Sequence, residues 1–561
     1  MARNPDLIKQ LNQRADALKS ERSSWFGQWQ DLSNFILPYN GRFFLSDRDK
    51  GFKRFNSIYD NSATRASRIL MAGMMSGASS PSRPWFKLSL HDKDLMRFHP
   101  VKEWLSDVTG LIANVLVQSN AYRVLPMLYG EMGVFGTAAA IMADDYKNVI
   151  HLHPFTIGEY CIETNWRGEV VTLYREFDKT VGAIVSEFGY QNCSHTIQGQ
   201  YDKGELGGWF TLRHAIEPRT DRDHTKIDAI NMPWRSTYWE VSSSNGQLLR
   251  ESGYKSFPGV CPRWQVMGGD IYGNSPGMET LGDVKQLQMQ QFRKSQAIDY
   301  QANPPLQVPS TFKNRELEIF PGGISFYEPN SQSDGIRTAF EVNLNLQTLL
   351  EDLQDIRGRI NSTFFVDIFL AITDQSKDMT AYEVAARKTE QMLMLGPVVE
   401  RVTNELLTPL LETTFERMLT GGLLPPPPEE LSGHNLNIEY ISVLAQAQKA
   451  VAINSIGQFV SELGQVAAIK PDVLDKFDAD QWADITADML GIPPELLVTD
   501  KNLTLIRQQR AQQAQQAQHA AMLEQGANIL NKAGSTPTGQ GTAGGDMLRA
   551  MQAQAAFRGG R

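Results

Sequence analysis

Apolar residues recur every three or four positions through the first 40 residues: Leu7, Leu11, Leu18, Trp25, Trp29, Leu32 and Phe35. That spacing gathers them on one face of a helix, and Pro38, with no amide to give to the ladder, ends it. A second helix is predicted over 60–76, closed by Gly77 and Pro81. Two more are expected over 100–143, the second running through GEMGVFGTAAAIMA, whose small residues permit close packing.

The period then changes. Between 149 and 268, short runs rich in Val, Ile, Tyr, Phe and Thr are separated by turn residues, as in VVTLYREF (170–177), STYWEVSS (236–243) and QLLRESGY (247–254). Asn245 and Gly246 between the last two accept the positive φ of a hairpin turn, so a β-rich insert is predicted. Helical spacing returns over 276–300 and stops at Asn303, Pro304 and Pro305. LQVP and LEIFPGGISFYEP predict a small β module over 305–340. Over 343–370, Leu346, Leu349, Leu350, Leu353, Ile356, Ile360, Phe364 and Ile368 mark one amphipathic helix. At 1.5 Å per residue it is about 40 Å long.

A polar break, TDQSKDM, occupies 373–379, and Thr380 with Glu383 forms a capping box for the next helix. That helix is expected to run to Leu395, to be interrupted at Gly396 and Pro397, and to resume as far as Leu419, before Gly421, Gly422 and four prolines. Residues 440–500 read as a compact helical unit with loops at Lys470 and Pro471 and at Pro493 and Pro494. A Gln- and Ala-rich helix follows over 502–523, and 533–561 has the composition of a disordered tail. The fold class expected is α+β, mainly α.

Composition narrows the function. The 561 residues suffice for three or four domains, with 41% apolar and 21% charged residues. Lys and Arg number 54 against 63 Asp and Glu, a net charge of -9. A chain that grips DNA draws its affinity from neutralised phosphates and is usually basic; here DNA is either no partner or one that must not stick. Cys161, Cys193 and Cys261 are far apart and none forms a CxxC pair, so neither a disulfide framework nor a zinc site is expected, and a reducing compartment is. The N-terminal residues lack the apolar core of a secretory signal, and no run of about 20 apolar residues predicts a membrane span. With no GxxxxGK[ST], GxSxG, HExxH or dinucleotide fingerprint, neither catalysis nor a cofactor is expected.

Three stretches carry candidate chemistry. His151 and His153 share one face of a predicted strand and suit either a metal or ordinary hydrogen bonds at a strand edge. RFFLSDRDKGFKRF (42–55) interleaves cations and aromatics, as in sites that stack bases and pair phosphates, or in a loop anchored by its aromatics. Ala511, Ala514, Ala517, Ala520 and Ala521 give the 502–523 helix a smooth face that suits a tight helical barrel or a solvated tail.

Four stretches, in order, resemble the portal (head-to-tail connector) proteins of short-tailed bacteriophages: IYDNSATRASRILMAGMMSGASSPSRPWFKL (58–88), GGDIYGNSPGMETLGDVKQLQMQQ (268–291), LEIFPGGISFYEP (317–329) and MTAYEVAARKTEQMLMLGPVVERVTNELLTPLLE (379–412). The resemblance spans about residues 5 to 500. It implies a ring, usually of twelve subunits, around an axial channel. Residues 1–278 are then a wing, 279–303 and 343–370 two stem helices, 304–342 a clip, and 371–380 a tunnel loop. Residues 381–430 are a second wing segment, 431–500 a crown, 501–525 a C-terminal barrel helix, and 526–561 a tail.

The resemblance also implies residues and partners. Lys377, Asp374 and Gln375 in the tunnel loop and Arg357 and Arg359 on the second stem helix are candidates to meet DNA. Lys313, Arg315, Glu316 and Glu318 are candidates for clip contacts. Expected partners are other copies of the chain, double-stranded DNA, the major capsid and scaffolding proteins, the terminase large subunit, and tail adaptor and nozzle proteins. The expected location is the portal vertex of the virion, after assembly in the host cytoplasm. An internal scaffold protein, or a metal-dependent nuclease using His151 and His153, are the alternatives.

Overall fold

One long helix, α1 (Pro5–Phe35), serves two hydrophobic cores. The computed structural model describes residues 5–43, 57–92, 95–242, 247–302, 306–307, 337–338, 346–373, 395–431 and 436–442, and shorter stretches beyond 458, chiefly 462–467, 477–490 and 502–517. Ile8, Leu11, Ala15 and Leu18 pack against a sheet, and three turns on Trp29 and Leu32 enter the main core. There they meet α2 (Ser62–Ala78), strand β1 (Phe86–Leu90), α3 (His99–Gln118) and α4 (Ala121–Phe135). The expected close packing of small residues holds on α4: a β-carbon at Gly133 would stand 2.5 Å from Leu70 on α2.

The rest of GEMGVFGTAAAIMA departs from the prediction. Gly136 takes a φ of 82°, which ends α4, and the alanines continue as strand β2 (Ala139–Asp145). Ala139, Ala140 and Met142 are buried in the core, so this strand lacks the apolar–polar alternation that would have betrayed it. It pairs with β3 (Val149–Phe155) and with a short strand later in the chain.

The β-rich insert is present as an antiparallel meander of β4 (Tyr160–Thr164), β5 (Val170–Thr180), β6 (Trp209–Pro218), β7 (Trp234–Glu240) and β8 (Leu248–Tyr254), paired in chain order. Its side chains alternate: Tyr174, Ala215, Trp239 and Leu248 face α1, whereas Phe177, Leu212, Tyr238 and Leu249 face the other way. Two short helices that the sequence reading did not foresee, α5 (Val181–Phe188) and α6 (His195–Asp202), cover that second face with Val181, Ile184, Phe188 and Ile197. The hairpin β7–β8 forms as predicted; Asn245 and Gly246 lie outside the described residues. Strand β9 (Gly259–Val260) closes the three-stranded sheet.

Helix α7 (Pro276–Ala302) matches its prediction. Of the small β module, β10 (Leu306–Gln307) and β11 (Arg337–Thr338) are described, as an antiparallel pair. The single helix expected over 343–370 is instead two, α8 (Leu346–Thr363) and α9 (Val366–Thr373). They are separated at Phe365, whose φ of 57° is left-handed. Beyond the break, Phe369 packs on Gly73 of α2.

Pro397 sits in the first turn of α10 (Gly396–Val402), where its missing amide costs nothing. The helix up to Leu395, with its capping box at Thr380 and Glu383, lies outside the described residues. Thr403–Leu407 then form a π-helical turn before α11 (Thr408–Thr420). Pro409 accounts for it: its ring would clash with the Glu405 carbonyl of a regular α-helix, and the wider turn relieves that.

A strand at Leu436–Tyr440, β12, pairs antiparallel with β1, Leu88 opposite Ile438. Neither strand was evident from the pattern of residues. Met1–Phe477 form one compact unit and Asp478–Arg561 another. In the second, α12 (Ala479–Leu490) and a helix over 502–517 are described, and Arg507 makes a two-pronged ion pair with Asp480 at 2.7 Å.

Candidate functional site

The two helices expected to line a channel, α7 and α8, lie against each other. Val284 and Leu287 of α7 and Leu353, Ile356 and Ile360 of α8 are fully buried in the main core. Polar contacts fix the pair along its length. Gln290 Nε2 donates to Asp352 Oδ2 at 2.5 Å, and Arg359 stands 3.4 Å from both Asp283 of α7 and Asp355 of its own helix.

Asp60, just before α2, is the anchor. Its Oδ2 accepts from Arg357 Nη2 at 2.7 Å and Nε at 3.1 Å, and from Gln291 Nε2 at 3.0 Å. Its Oδ1 accepts from the Ser62 amide at 2.9 Å. Buried Gln288 completes the joint. Its carbonyl oxygen accepts from the Tyr59 and Asp60 amides at 2.6 and 2.9 Å, and its amide donates to the Asp60 carbonyl at 2.8 Å. Burial works to raise the Asp60 carboxyl, but hydrogen bonds from Ser62 and Arg357 outweigh it, and the net shift is downward. Three segments far apart in sequence therefore meet on one ionised carboxylate.

This arrangement sets the charge that α8 presents. The side of α8 away from the core carries exposed Glu351, Gln354, Asp355, Gly358 and Ser362. Of its cations, Arg357 is held at Asp60, whereas Arg359 stays exposed beside this face, paired with Asp355 of the face and Asp283 of α7. The corresponding side of α7 carries Gln286, Met289, Arg293, Gln296 and Tyr300. Beyond α9 the chain enters the polar stretch where Asp374, Gln375 and Lys377 stand. These three lie outside the described residues, as do Lys313, Arg315, Glu316 and Glu318.

Asp60 and Gln288 were missed as functional positions. The one local signal was Asp60 two residues before Ser62 at a predicted helix start, the pattern of a side chain capping a turn. Both residues fall within stretches quoted above, 58–88 and 268–291, so two of the four meet in space.

His151 and His153 do share a face of β3, with ring centroids 4.6 Å apart. Among the described residues no cluster of three His, Cys, Asp or Glu side chains that suits a metal is present. Burial foremost, and then the nearby positive charges of His151, Arg175 and Lys179, lower the His153 pKa to about 4. Surroundings that disfavour a proton also disfavour a divalent cation. Of the 42–55 stretch, Phe43 packs edge-on against Phe26 at 5.2 Å, and the rest beyond it is not described. Among the described residues no helix is long and apolar enough to cross a membrane.

Comparison with known proteins adds kinship to this geometry. Residues 8–497 match the family model described as bacteriophage head to tail connecting protein. The chain is 52% identical to a probable portal protein of Bordetella phage BPP-1, over 97% of this chain and 98% of that one. It is 42% identical to a portal protein of Salmonella phage epsilon15, over 94% and 95%. A solved neck of an empty gene transfer agent particle aligns with 77% of this chain and 90% of that one, at 11% identity and a TM-score of 0.34, a likeness too slight to transfer detail.

Proposed function

We infer the working role from one premise: the chain belongs to the family of bacteriophage head to tail connecting proteins. It is a portal-type structural protein of the virion's head–tail junction and not an enzyme. The nuclease and internal scaffold readings end with that premise. Copies close into a ring, of twelve by family expectation, and α7 and α8 form the wall of an axial channel for genome packaging and ejection.

The observation that carries the channel reading is the outward side of α8, which carries Glu351 and Asp355 against one exposed cation, Arg359, itself paired with Asp355 and Asp283, while Arg357 is held at Asp60. Duplex DNA carries a negative charge about every 1.7 Å, and a wall of lysines would hold it fast. Carboxylates on the α8 side repel it and let it slide, with Arg293 on the α7 side the exposed exception. Lys377, with Asp374 and Gln375, is the group that touches the passing duplex. Arg359 comes next, and Arg357, held at Asp60, last. Lys313, Arg315, Glu316 and Glu318 on the clip meet the terminase large subunit and afterwards the tail adaptor and nozzle proteins. The wing meets the major capsid and scaffolding proteins, and assembly takes place in the host cytoplasm.

Native mass measurement and particle images of the purified chain test this reading. The expected result is a closed ring with a hole wide enough for duplex DNA. Monomers alone at all concentrations, or open filaments, would sink it.

A further inference from the structure

Three sheet borders are closed by side chains of the chain itself. In β1 the Leu88 amide, turned away from β12, donates to Thr109 Oγ1 of α3 at 3.1 Å. In β3 the Asn120 side chain imitates a neighbouring strand. Its Oδ1 accepts from the Leu152 amide at 2.8 Å, and its Nδ2 donates to the Leu152 carbonyl at 2.7 Å. In β4 the Tyr160 carbonyl accepts from Arg22 at 2.6 Å, and the Ile162 amide donates to the Tyr272 hydroxyl at 3.3 Å.

The outer border of β12 is different. The Ile441 amide donates to the Trp85 carbonyl at 2.9 Å, in register with the β1–β12 pairing. Antiparallel ladders alternate, so Asn437 and Glu439 bond to β1, while Ile438 and Tyr440 turn their amides and carbonyls away from it. Among the described residues no group bonds to those amides or carbonyls. The strand also lacks the devices that shield a border, namely a bulge, a proline or an outward lysine. Its register is continuous, LNIEY contains no proline, and its one charge, Glu439, is drawn to within 3.3 Å of Lys87 on β1. Leu436, Ile438 and Tyr440 pack against the main core, so the strand is firmly seated with its outer rim bare.

We propose that β12 is the strand through which one copy of the chain accepts an extended segment of the next, added as a third strand beside β1 and β12. This rests on the ring reading above. A second copy, rather than another protein, is the occupant because the bare border occurs once per chain. In a closed ring each copy gives a strand and takes one, so no border stays open, whereas a free monomer carries an unguarded one. Main-chain bonds hold the incoming segment about 4.8 Å from β12 and fix its direction. The contact therefore sets an angle between neighbours as well as joining them.

Residue-resolved hydrogen exchange on the full chain, as monomer and as closed ring, tests this. The Asn437 and Glu439 amides should be slow in both states. The Ile438 and Tyr440 amides should exchange freely in the monomer and slow at least about tenfold on ring closure. Ile438→Pro removes one outward donor and leaves the bonds to β1 in place, so the monomer should fold. The concentration needed for half-assembly should then rise at least about tenfold. Ile438→Val keeps the amide and should assemble as the parent does. Where Ile438→Pro fails to fold, the exchange pattern alone decides. A ring in which the Ile438 and Tyr440 amides stay as fast as in the monomer overturns the proposal and leaves the ring reading standing. So does protection already present in the monomer, or gained only when another virion protein is added. Undiminished assembly of a folded Ile438→Pro chain overturns it too. Failure to form any ring removes both.

Discussion

Gly73 and Phe369 share a space that admits no further atom: a β-carbon at 73 would stand 2.1 Å from the ring. Gly73→Ala is expected to cost about 1–3 kcal/mol in urea unfolding, as overpacking does. Most of that penalty should vanish in a Phe369→Ala background, because the clash is shared. His214 offers a different readout. It is fully buried, stacked on Tyr238, and its Nδ1 receives the Arg175 Nε–H, which can only donate. Nδ1 is therefore unprotonated, and Nε2–H faces Ser236 Oγ at 2.9 Å. Burial, and then the charges of Arg175 and Arg250, hold the His214 pKa well below its ordinary 6.5. The unfolded chain thus binds the proton that the folded one refuses. The stability His214 contributes is complete above about pH 6.5 and is lost progressively as the pH falls below it. Unfolding midpoints measured down to pH 5 should show this acid loss, and His214→Gln should flatten part of it. At this scale the sequence told little: Arg357 and Arg359 were readable as stalk cations, but the partner of Arg357 lies 297 residues away.

Elements with a clean period were legible, and those without one were not. Helical spacing over 276–300 and at Leu353, Ile356 and Ile360 gave α7 and α8, and β-rich runs between turn residues gave the meander. The apolar period also runs straight through Phe364 and Ile368 and so concealed the break at Phe365, which tertiary packing against α2 and Gly73 imposes. Strand β2 was taken for helix because alanine favours helices and both faces of the strand are buried. How firmly the elements are joined is testable at Asp60. Asp60→Ala removes the acceptor of Arg357 and Gln291 together and should cost about 1–3 kcal/mol. Arg357→Ala alone should cost less, since its side chain is 39% exposed. A double-mutant cycle should give a coupling of roughly 0.5–1.5 kcal/mol; additive losses would show that the pair does not join α8 to the start of α2.

For the whole molecule, net charge was the most useful number in the sequence, and α8 contributes Glu351, Asp352 and Asp355 to it. Glu351→Lys with Asp355→Lys should leave ring assembly intact while slowing DNA packaging several-fold, measured as packaged genome per procapsid; unchanged packaging would remove those carboxylates from the channel wall. A different consequence follows from the pairing of β1 with β12. Phe86 and Tyr440 are paired across more than 350 residues, so β1 has no partner until β12 has left the ribosome. At about 5–20 residues per second that delay is on the order of 20–70 s. The helical body therefore stays open along this edge for most of its synthesis, and the chain becomes a finished building block only near the end of translation. Fragments ending before residue 436 should fold in part yet be targets for proteolysis along β1, a quality check written into the order of the chain.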